Sequence, residues 1–331
     1  MSGIIEQIHS NATLQCRSVV LPEAQDERIL RAAIEVKSAG LASPVLLGSP
    51  DEIQSSADAF GLDLQGIELA DSRILAQSAN LLDYLQSRKR YAELSRAERT
   101  LALQNPLTLA CCMLAIGEVD ACVAGAVYTT TQVIQNGLRV IGTSENSPLL
   151  SSFFLMVFES PAGDNLEYAL FADCAINVNP DAGQLAQIVI STANSAKNLF
   201  GLDPKVAVLS FSTAGSASHP DVDKVQHATH LVRDAHPNLK LIGEVQFDAA
   251  FSSSVRALKM PGAGFSGPAN VYVFPDLDAG NISAKIAERI GGALPVGPVL
   301  QGLSKPLNDL SRGADVESIV NTIAMTCLQA G

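Results

Sequence analysis

The pattern of apolar and polar positions along this chain indicates strands and helices that follow one another. Residues 18–21 form a short apolar run typical of a strand, and apolar residues recur at three- and four-residue spacing across 26–39, which predicts an amphipathic helix. Gly40 stands where a helix of this kind commonly ends. Residues 205–211 are almost wholly apolar, like strands buried in parallel sheets. The alternation predicts an α/β protein with mostly parallel sheets flanked by helices.

Two features of the chain predict more than one domain. At 331 residues the chain is long for a single hydrophobic core. Residues 142–148 combine Gly, Thr, Ser, Asn and Pro, which is typical of a connector. We therefore expect two α/β domains joined near this stretch.

Composition and charge narrow the classes of partner. Hydrophobic residues make up 47% of the chain and charged residues 17%, which is typical of a globular protein. The net charge of −12 argues against nucleic acid as a partner, whereas local arginines still allow a small anionic ligand. Positive charge is concentrated at residues 88–90, Arg96 and Arg99. That cluster is either a solvated helix face or a patch for a polyanionic ligand.

The cysteines and histidines do not predict a metal site. None of the six cysteines forms a Cys-x-x-Cys pair, and most lie in apolar runs, so we interpret them as buried hydrophobes in a reducing compartment. His227 and His230 lie near Asp223 on a predicted helix, but no further ligand completes a site. We see no signal peptide and no uninterrupted apolar run of about 18 residues, so we expect a cytoplasmic protein without a membrane span.

Three hydroxyl-rich turns lie between a predicted strand and a predicted helix, at residues 128–131, 212–218 and 311–313. In the last turn a hydroxyl, a guanidinium and free backbone N–H groups occur together, a combination that suits a small oxyanion such as phosphate. Ordinary helix caps and a surface arginine are the alternative interpretation. The turns match neither the P-loop nor the dinucleotide-binding pattern, which disfavours nucleotide hydrolysis and dinucleotide binding.

Six motifs, in order from about Val19 to Gln329, resemble the phosphate acetyltransferase family (phosphotransacetylases). The stretches 137–139 and 215–220 resemble its ethanolamine-utilisation branch. The six motifs are Ala124-Gly125-Ala126 with Thr129-Thr130, Phe171-Ala172-Asp173-Cys174, Ser212-Thr213-Ala214-Gly215-Ser216, Gly243-Glu244 with residues 246–250, residues 274–277 with Gly280-Asn281, and Asn308-Asp309-Leu310-Ser311-Arg312-Gly313.

The resemblance implies an architecture and an activity. The family's members have two α/β domains with the active site in the cleft between them, and the C-terminal segment returns to the first domain. We therefore expect a first domain of residues 1–145 plus 296–331 and a second of residues 146–295. The implied reaction moves an acetyl group between coenzyme A and phosphate, in acetate metabolism, without a metal or other cofactor, since coenzyme A is a substrate. A homodimer acting on small molecules, with no nucleic-acid or membrane partner, is also implied.

The implied chemistry is direct attack of the coenzyme A thiolate on the acetyl carbonyl in a ternary complex. Ser311 and Arg312 would face the acyl phosphate, and Arg88 resembles the family's phosphate- or coenzyme-contacting arginine. We expect the serine–arginine pair and the threonine turn to converge on one tetrahedral anion across the interdomain gap. No covalent intermediate is needed, so Cys174 is interpreted as a packing residue. The other substrate-binding candidates are Thr129, Thr130, Ser212, Gly215, Ser216, Asn281 and Lys285.

Three positions depart from the family's usual pattern. Gln135 stands where a second active-site arginine is common, and Tyr128 stands where histidine is common. Ser318 replaces the aspartate proposed as the base for the thiol. We expect Arg139, four residues beyond Gln135 on one helix face, to substitute for the arginine. Asp315, three residues before Ser318, becomes the candidate base.

These departures leave two alternatives to acetyl transfer. The same reaction could act on propionyl or butyryl groups, since relatives differ mainly in pocket size. The other alternative is a weakly catalytic paralogue that binds coenzyme A or acetyl phosphate and serves as a sensor or a regulatory subunit. A thiol-release assay separates an enzyme from a binding module.

Overall fold

The structure, a computed structural model, describes residues 3–145, 147–162, 166–263 and 265–331. Within these ranges the chain forms two compact units, one of residues 3–145 and 303–331 and one of residues 147–302. The chain therefore leaves the first unit and returns to it at the C-terminus. Nowhere in the described ranges is a helix both long enough and apolar enough to cross a membrane.

The first unit is built on a five-stranded sheet with helices on both faces. Its strands are β1 (Ser18–Leu21), β2 (Ser43–Gly48), β3 (Glu68–Asp71), β4 (Ala121–Ala124) and β11 (Leu307–Asp309). Its helices are α1 (Gly3–Gln15), α2 (Glu27–Ser38), α3 (Pro50–Ala59), α4 (Ser72–Leu75), α5 (Ala79–Ser87), α6 (Arg96–Leu103), α7 (Pro106–Ile116), α8 (Thr130–Asn136), which continues into a π-helical turn (Gly137–Ile141), and α14 (Val316–Gln329).

All strand pairs in this sheet are parallel, and their order is β11-β4-β1-β2-β3. Side chains alternate across the sheet because successive residues of a strand point to opposite faces. Val20 accordingly packs in one apolar core with α5 and α7, whereas Val19 and Leu21 pack in the other with α2 and α14. Both faces are covered, as the apolar strands of the sequence predict.

The second unit contains a six-stranded sheet in the order β10-β5-β6-β9-β7-β8. The pairs formed by β6, β9, β7 and β8 are parallel, and those that join β10, β5 and β6 are antiparallel. Its strands are β5 (Ser151–Ala162), β6 (Leu166–Ala172), β7 (Lys205–Leu209), β8 (Lys240–Val245), β9 (Val271–Val273) and β10 (Leu294–Gln301). Its helices are α9 (Ala182–Phe200), α10 (Pro220–Ala235), α11 (Phe247–Phe251), α12 (Ser253–Lys259) and α13 (Leu277–Arg289).

The position at which the chain returns to the first unit differs from the expected residue 296. Strand β10 pairs antiparallel with β5, so residues 296–302 belong to the second unit. The side chain of Gln301 fixes the end of this strand there, because its Nε2 donates to Ser151 Oγ at 3.0 Å and to Thr192 Oγ1 at 2.8 Å. An apolar run of this kind predicts a strand but does not indicate which sheet it joins.

Four elements were not expected from the pattern of the sequence. They are the N-terminal helix α1, the pair α11 and α12, and the three-residue strand β11. Strand β11 is short and contains Asn308 and Asp309, so it lacks the apolar run by which the other strands are recognised. It is nevertheless the strand that places the serine–arginine motif.

Candidate active site

The serine–arginine motif and the threonine turn leave the first sheet side by side. Strand β11 pairs in parallel with β4, with Asp309 opposite Ala124. The backbone N–H of Leu310 donates to the carbonyl of Ala124 at 2.8 Å, so the pairing continues just beyond the strand ends. The convergence therefore arises at one edge of one sheet within the first unit. The expectation that the two motifs meet across an interdomain gap was wrong, because a five-stranded sheet already joins them.

Thr130 and Asp309 connect the two motifs directly. A 2.7 Å hydrogen bond joins Thr130 Oγ1 and Asp309 Oδ2. Thr130 is exposed, whereas Asp309 is only 2% exposed. The second carboxyl oxygen of Asp309, Oδ1, is buried and has no hydrogen-bond partner among the described residues. The threonine turn therefore rests on a buried acid from the neighbouring strand.

Burial raises the pKa of Asp309 from 3.8 to about 7, and the nearby charge of Glu23 adds to the rise, although the hydrogen bond from Thr130 lowers it. Removing a carboxylate from water disfavours its charged form, which is the larger effect here. Gly125 makes this close packing possible. A Cβ atom there would lie 2.6 Å from Leu310 N, and its backbone has φ +116°, so the position requires glycine.

Glu23, just after β1, holds the backbone that precedes the threonine turn. Its Oε2 accepts hydrogen bonds of 2.9 Å from the N–H groups of Gly125 and Ala126. Its Oε1 accepts bonds of 2.7 Å from those of Val127 and Tyr128. Four consecutive N–H groups thus face a carboxylate of the protein itself. These four groups are therefore not available to an external anion.

Arg28, near the start of α2, joins the two motifs from a third direction. Its Nη1 donates to the carbonyls of Arg312 and Ala314, at 2.7 and 3.0 Å, and its Nη2 donates to that of Ala126 at 3.0 Å. Its charge is paired with Asp26 at 2.8 Å. Arg28 is therefore a structural clamp that fixes the main chain on both sides of the site.

Ser311 and Arg312 are exposed at this edge. Ser311 Oγ accepts a 3.3 Å hydrogen bond from the N–H of Gly313, and its carbonyl accepts one of 2.8 Å from that of Ala314. Of the N–H groups at this turn, those of Gly313 and Ala314 are therefore engaged within the turn. The guanidinium of Arg312 forms no ion pair within the described part of the chain. It can accordingly bind an anion without first breaking an internal salt bridge.

Asp315, the candidate base, is the N-cap of α14. Its Oδ1 accepts a 2.9 Å hydrogen bond from the N–H of Ser318. Hydrogen bonds from the side chain and the backbone of Ser318 hold the pKa of Asp315 below its usual range. The carboxylate is therefore charged at neutral pH but is a weakened proton acceptor.

Gln135 and Arg139 lie in consecutive parts of one helical segment. Gln135 is exposed in the last turn of α8, whereas Arg139 lies in the π-helical turn that follows. A π turn contains slightly more residues than an α turn, so residues four apart still lie close to the same side of the helical segment. The substitution of Arg139 for the missing arginine therefore stays a prediction.

Arg88 lies near the far end of the same helical segment. Its Nη2 donates to the carbonyl of Ile141 at 3.4 Å, and its guanidinium lies 5.9 Å from the centre of the Tyr84 ring. A Cβ atom at Gly142 would lie 2.7 Å from that Nη2, so glycine leaves the space that the arginine fills. Arg88 contributes to an open cavity of about 810 Å³ lined also by Leu138, Ile141, Gly142, Thr143, Ser144, Glu145 and Ser304.

The basic cluster around Arg88 is not a single solvated face. Arg99 is buried, and its Nη1 donates to the carbonyl of Leu94. Arg96 instead lies exposed at the start of α6. Spacing alone could not reveal this, because the two arginines are only three residues apart. Arg88, by contrast, lines a cavity.

In the second unit, Ser212 organises the loop that follows β7. The residue is fully buried, and its Oγ donates to Glu244 Oε1 at 3.0 Å. The same carboxylate oxygen accepts a 2.7 Å bond from the N–H of Gly215. Ser216 Oγ accepts a 3.0 Å bond from the N–H of Thr213. Gly215 and Ser216 are exposed and can contact a ligand, whereas Ser212 holds the loop in place.

The loop after β6 is held by another buried acid. Asp173 accepts hydrogen bonds from the N–H groups of Ala175, Ile176 and Asn177. Asn281 Nδ2 donates to the carbonyl of Cys174 at 3.1 Å, which ties α13 to this loop. Burial raises the pKa of the Cys174 thiol well above its usual range, consistent with a packing residue.

Lys285, on the exposed side of α13, pairs with Glu288 at 2.8 Å. In this (i, i+3) ion pair the lysine is exposed, whereas Glu288 is half-buried. Lys285 remains a candidate for substrate binding, although it pairs with Glu288 on its own helix.

Two residues that form the site had not been recognised from the sequence, Glu23 and Arg28. Both act through main-chain groups distant in sequence, and neither belongs to a recognised motif. The order of the strands would have been the useful signal. Since β1 lies next to β4, residues just beyond β1 lie close to the turn that follows β4.

These features define a class of protein before any comparison is made: a two-unit α/β protein with polar loops at the carboxyl edges of its parallel strands, where such folds bind ligands. Among the described residues, no group of three or more His, Cys, Asp and Glu side chains could hold a metal ion.

Comparison with known proteins then gives the family. The family model described as "Phosphate acetyl/butaryl transferase" matches residues 3–327. The chain belongs to that family and is therefore a transferase.

Some curated relatives match over almost their whole length. A phosphate acetyltransferase from Paracoccus denitrificans is 40% identical over 326 residues, 98% of each chain. One from Thermoanaerobacterium thermosaccharolyticum is 41% identical over 333 residues, 99% of each. Among solved structures, the EutD phosphotransacetylase from Staphylococcus aureus has a TM-score of 0.89 and 38% identity, with 100% of both chains covered.

A wider likeness concerns the fold alone. A 4-hydroxythreonine-4-phosphate dehydrogenase from Klebsiella pneumoniae has a TM-score of 0.57 at 11% identity, covering 95% of this chain and 99% of that one. The same arrangement of elements therefore supports different chemistry, and function has to be argued from the site.

Proposed function

We propose that this protein transfers an acetyl group between coenzyme A and phosphate, interconverting acetyl-CoA and phosphate with coenzyme A and acetyl phosphate. The observation that carries the proposal is the pairing of β4 with β11, which brings Thr130, Ser311 and Arg312 to one edge of a sheet. Two hydroxyls and an unpaired guanidinium are groups that bind phosphate oxygens. The acetyl group and coenzyme A are inferred from the family to which the chain belongs.

The chemistry follows from these groups. The thiol of coenzyme A loses its proton, and the thiolate attacks the carbonyl carbon of acetyl phosphate. A C–S bond forms, the C–O bond to the phosphoryl group breaks, and phosphate leaves with the electron pair. Arg312 stabilises the negative charge that develops on the carbonyl and phosphoryl oxygens. Ser311 and Thr130 orient the phosphate, and Asp315 is the proposed acceptor of the thiol proton.

Arg88 is assigned to the coenzyme rather than to the transferred phosphate. Thr130 begins and Ile141 ends one continuous helical segment, so the two ends are about 16 Å apart at 1.5 Å per residue. A single phosphate cannot contact both ends. Coenzyme A is long enough to place its thiol at Thr130 and a phosphate of its nucleotide at Arg88. An Arg88→Ala variant should therefore raise the KM for coenzyme A much more than the KM for acetyl phosphate.

The exposed loop residues of the second unit are further candidates for binding the substrates. The candidates in the first unit are Thr129, Gln135 and Arg139. Those in the second unit are Gly215, Ser216, Asn281 and Lys285. Ser212 is assigned a structural role, since Glu244 engages its hydroxyl.

The decisive experiment is an assay of thiol release and consumption with acetyl phosphate, phosphate and coenzyme A. Rapid turnover in both directions would support the transferase, and binding without turnover would support the regulatory alternative. Propionyl and butyryl phosphates, tested in the same assay, measure acyl-chain preference. Activity that survives prolonged treatment with EDTA would support chemistry without a resident metal.

We also propose a cytoplasmic homodimer, as the resemblance to the family implies. Helix α13 and its C-cap expose Ile282, Ile286 and Ile290 at four-residue spacing, a pattern that forms one apolar stripe. A second copy of the chain would remove this stripe from water. Sedimentation equilibrium tests the dimer, and an Ile286→Glu variant that remained dimeric would exclude this face as the interface.

A further inference from the structure

The buried acid beneath the threonine turn has a property that the transfer reaction itself does not require. Asp309 is 2% exposed, and its only side-chain partner among the described residues is the hydroxyl of Thr130, 2.7 Å away. Asp309 Oδ1 lies against Gly125 without a hydrogen-bond partner, and Asp309 forms no ion pair within the described part of the chain. A carboxyl group in such surroundings is more stable when it is neutral.

The protonation state of Asp309 decides what Thr130 can offer to a ligand. A threonine hydroxyl has one hydrogen and two lone pairs. If Asp309 is ionised, the hydroxyl must direct its hydrogen to the carboxylate and presents only lone pairs outwards. If Asp309 is neutral, its O–H donates to Thr130 Oγ1, and the hydroxyl hydrogen is free to donate to a phosphate oxygen. The same two oxygens thus form a site that either attracts or repels an oxyanion.

The charged groups around Asp309 support its neutral form. Glu23 approaches from the loop after β1 and disfavours a second negative charge. Arg28, on α2, is paired with Asp26. The seven residues of α8 contain no charged side chain. At the start of α14, Asp315 and Glu317 are both acidic. Arg312, beyond β11, is exposed to solvent.

We propose that Asp309 is a positioning residue for the phosphate substrate, acting as a neutral acid that donates to Thr130 and so turns the Thr130 hydroxyl hydrogen towards the bound anion. The inference rests on the proposed function for the identity of that anion. Because burial raises the pKa of Asp309 to about 7, the donor arrangement prevails below pH 7 and is lost as the pH rises above it. Phosphate and acetyl phosphate should therefore bind more weakly at alkaline pH.

The test compares the wild type with Asp309→Asn between pH 6 and pH 9. Asparagine has nearly the same shape, and its amide N–H can donate to Thr130 at every pH. The KM for phosphate also reflects the titration of phosphate itself, and dividing the wild-type KM by that of D309N removes this contribution. We expect the ratio to rise about tenfold across the range, as for the loss of one hydrogen bond to a charged ligand. The interaction is present in ground state and transition state alike, so kcat at saturating phosphate should not follow this ratio. A ratio that stays constant overturns the inference.

Thr130→Val provides a second and independent test, since Thr130 is exposed and its replacement does not open the core. If Asp309 acts through Thr130, the KM of T130V divided by that of D309N does not rise at alkaline pH. The same ratio for Thr130→Ser rises as it does for the wild type. If T130V keeps the wild-type pH profile, the inference is wrong even should D309N fail to fold.

Calorimetric titration with inorganic phosphate separates this inference from the proposed function, because it needs no turnover. Phosphate affinity that falls at alkaline pH in the wild type but not in D309N supports the role of Asp309, even in a protein that proves not to transfer acetyl groups. Normal transferase activity with identical phosphate affinities for both proteins at every pH contradicts the role of Asp309 alone.

Discussion

Glu23 Oε1 accepts a 2.7 Å hydrogen bond from the backbone N–H of Tyr128, 105 residues later in the chain. This contact is one of four that a single buried carboxylate makes to the turn before Thr130. Glu244 and Asp173 hold two loops of the second unit in a similar manner. In each case an internal carboxylate satisfies backbone N–H groups that would otherwise attract a free anion.

The first prediction concerns Glu23→Gln. An amide oxygen can replace only one side of the carboxylate, and the amide N–H₂ would face N–H groups that are themselves donors. We expect a loss of unfolding free energy of about 3 kcal/mol, because buried hydrogen bonds to a charged group are broken. The transfer rate should fall at least tenfold, since the turn that positions Thr130 is displaced.

Glu27→Gln is the matched control. Glu27 is on the exposed part of α2 and pairs with Arg31 at 2.7 Å. Its replacement should change the stability by less than about 1 kcal/mol. Urea denaturation and the thiol assay on both variants provide the measurement. Equal effects of the two substitutions would show that Glu23 does not organise the turn.

The second prediction concerns Arg312→Ala. The side chain forms no ion pair within the described residues, and the contact that Arg28 makes is to the main-chain carbonyl of residue 312. Removing the guanidinium should therefore leave the fold intact, whereas kcat falls about 10²–10³-fold because the developing charge loses its main partner. Arg31→Ala, which also removes one exposed positive charge, should retain activity. Wild-type rates in R312A would show that another group stabilises the transition state.

Much of this site follows from the sequence for a physical reason. Thr130 lies in the turn that follows the apolar run of β4, and Ser311 and Arg312 precede a predicted helix, the kind of place where an α/β fold binds anions. The strand β11, which places the serine–arginine pair beside that turn, was not predicted. Glu23, Arg28 and the state of Asp309 could not be predicted, because their roles depend on the order of the strands and on burial. The predicted element and domain boundaries were wrong where the apolar pattern is weak, as for β11. They were also wrong where an edge strand such as β10 could have joined either sheet.

The third prediction concerns Gln135→Arg. The family commonly has arginine here, and the structure places Gln135 exposed on α8. An added guanidinium should lower the KM for phosphate severalfold, with little change in kcat. Gln54→Arg on α3 adds the same charge at another exposed position and controls for general electrostatic attraction to a chain of net charge −12. If both variants lower KM equally, position 135 has no specific role.

The fourth prediction tests the proposed base with Asp315→Asn. Asparagine caps helices about as well as aspartate, so α14 should keep its N-terminus. The amide cannot accept the thiol proton, and general base catalysis typically contributes 10²–10⁴-fold. We expect kcat to fall at least tenfold while the denaturation midpoint is nearly unchanged. A kcat equal to that of the wild type would require another proton acceptor.

The last prediction links Asp309 to stability. The carboxyl has a pKa of about 7 in the folded protein, against 3.8 as its ordinary value. The folded state therefore binds this proton more tightly than the unfolded chain does, so its contribution to stability is complete below about pH 3.8 and is lost as the pH rises to about 7. At about 1.4 kcal/mol per pKa unit, the loss approaches about 4 kcal/mol. Asp309→Asn cannot titrate and lacks this dependence. We therefore expect the unfolding free energy of D309N, relative to that of the wild type, to be higher at pH 8 than at pH 4 by up to this amount. Urea denaturation at the two pH values measures the difference. A difference between the two proteins that does not vary with pH would mean that Asp309 is ionised in the folded state throughout.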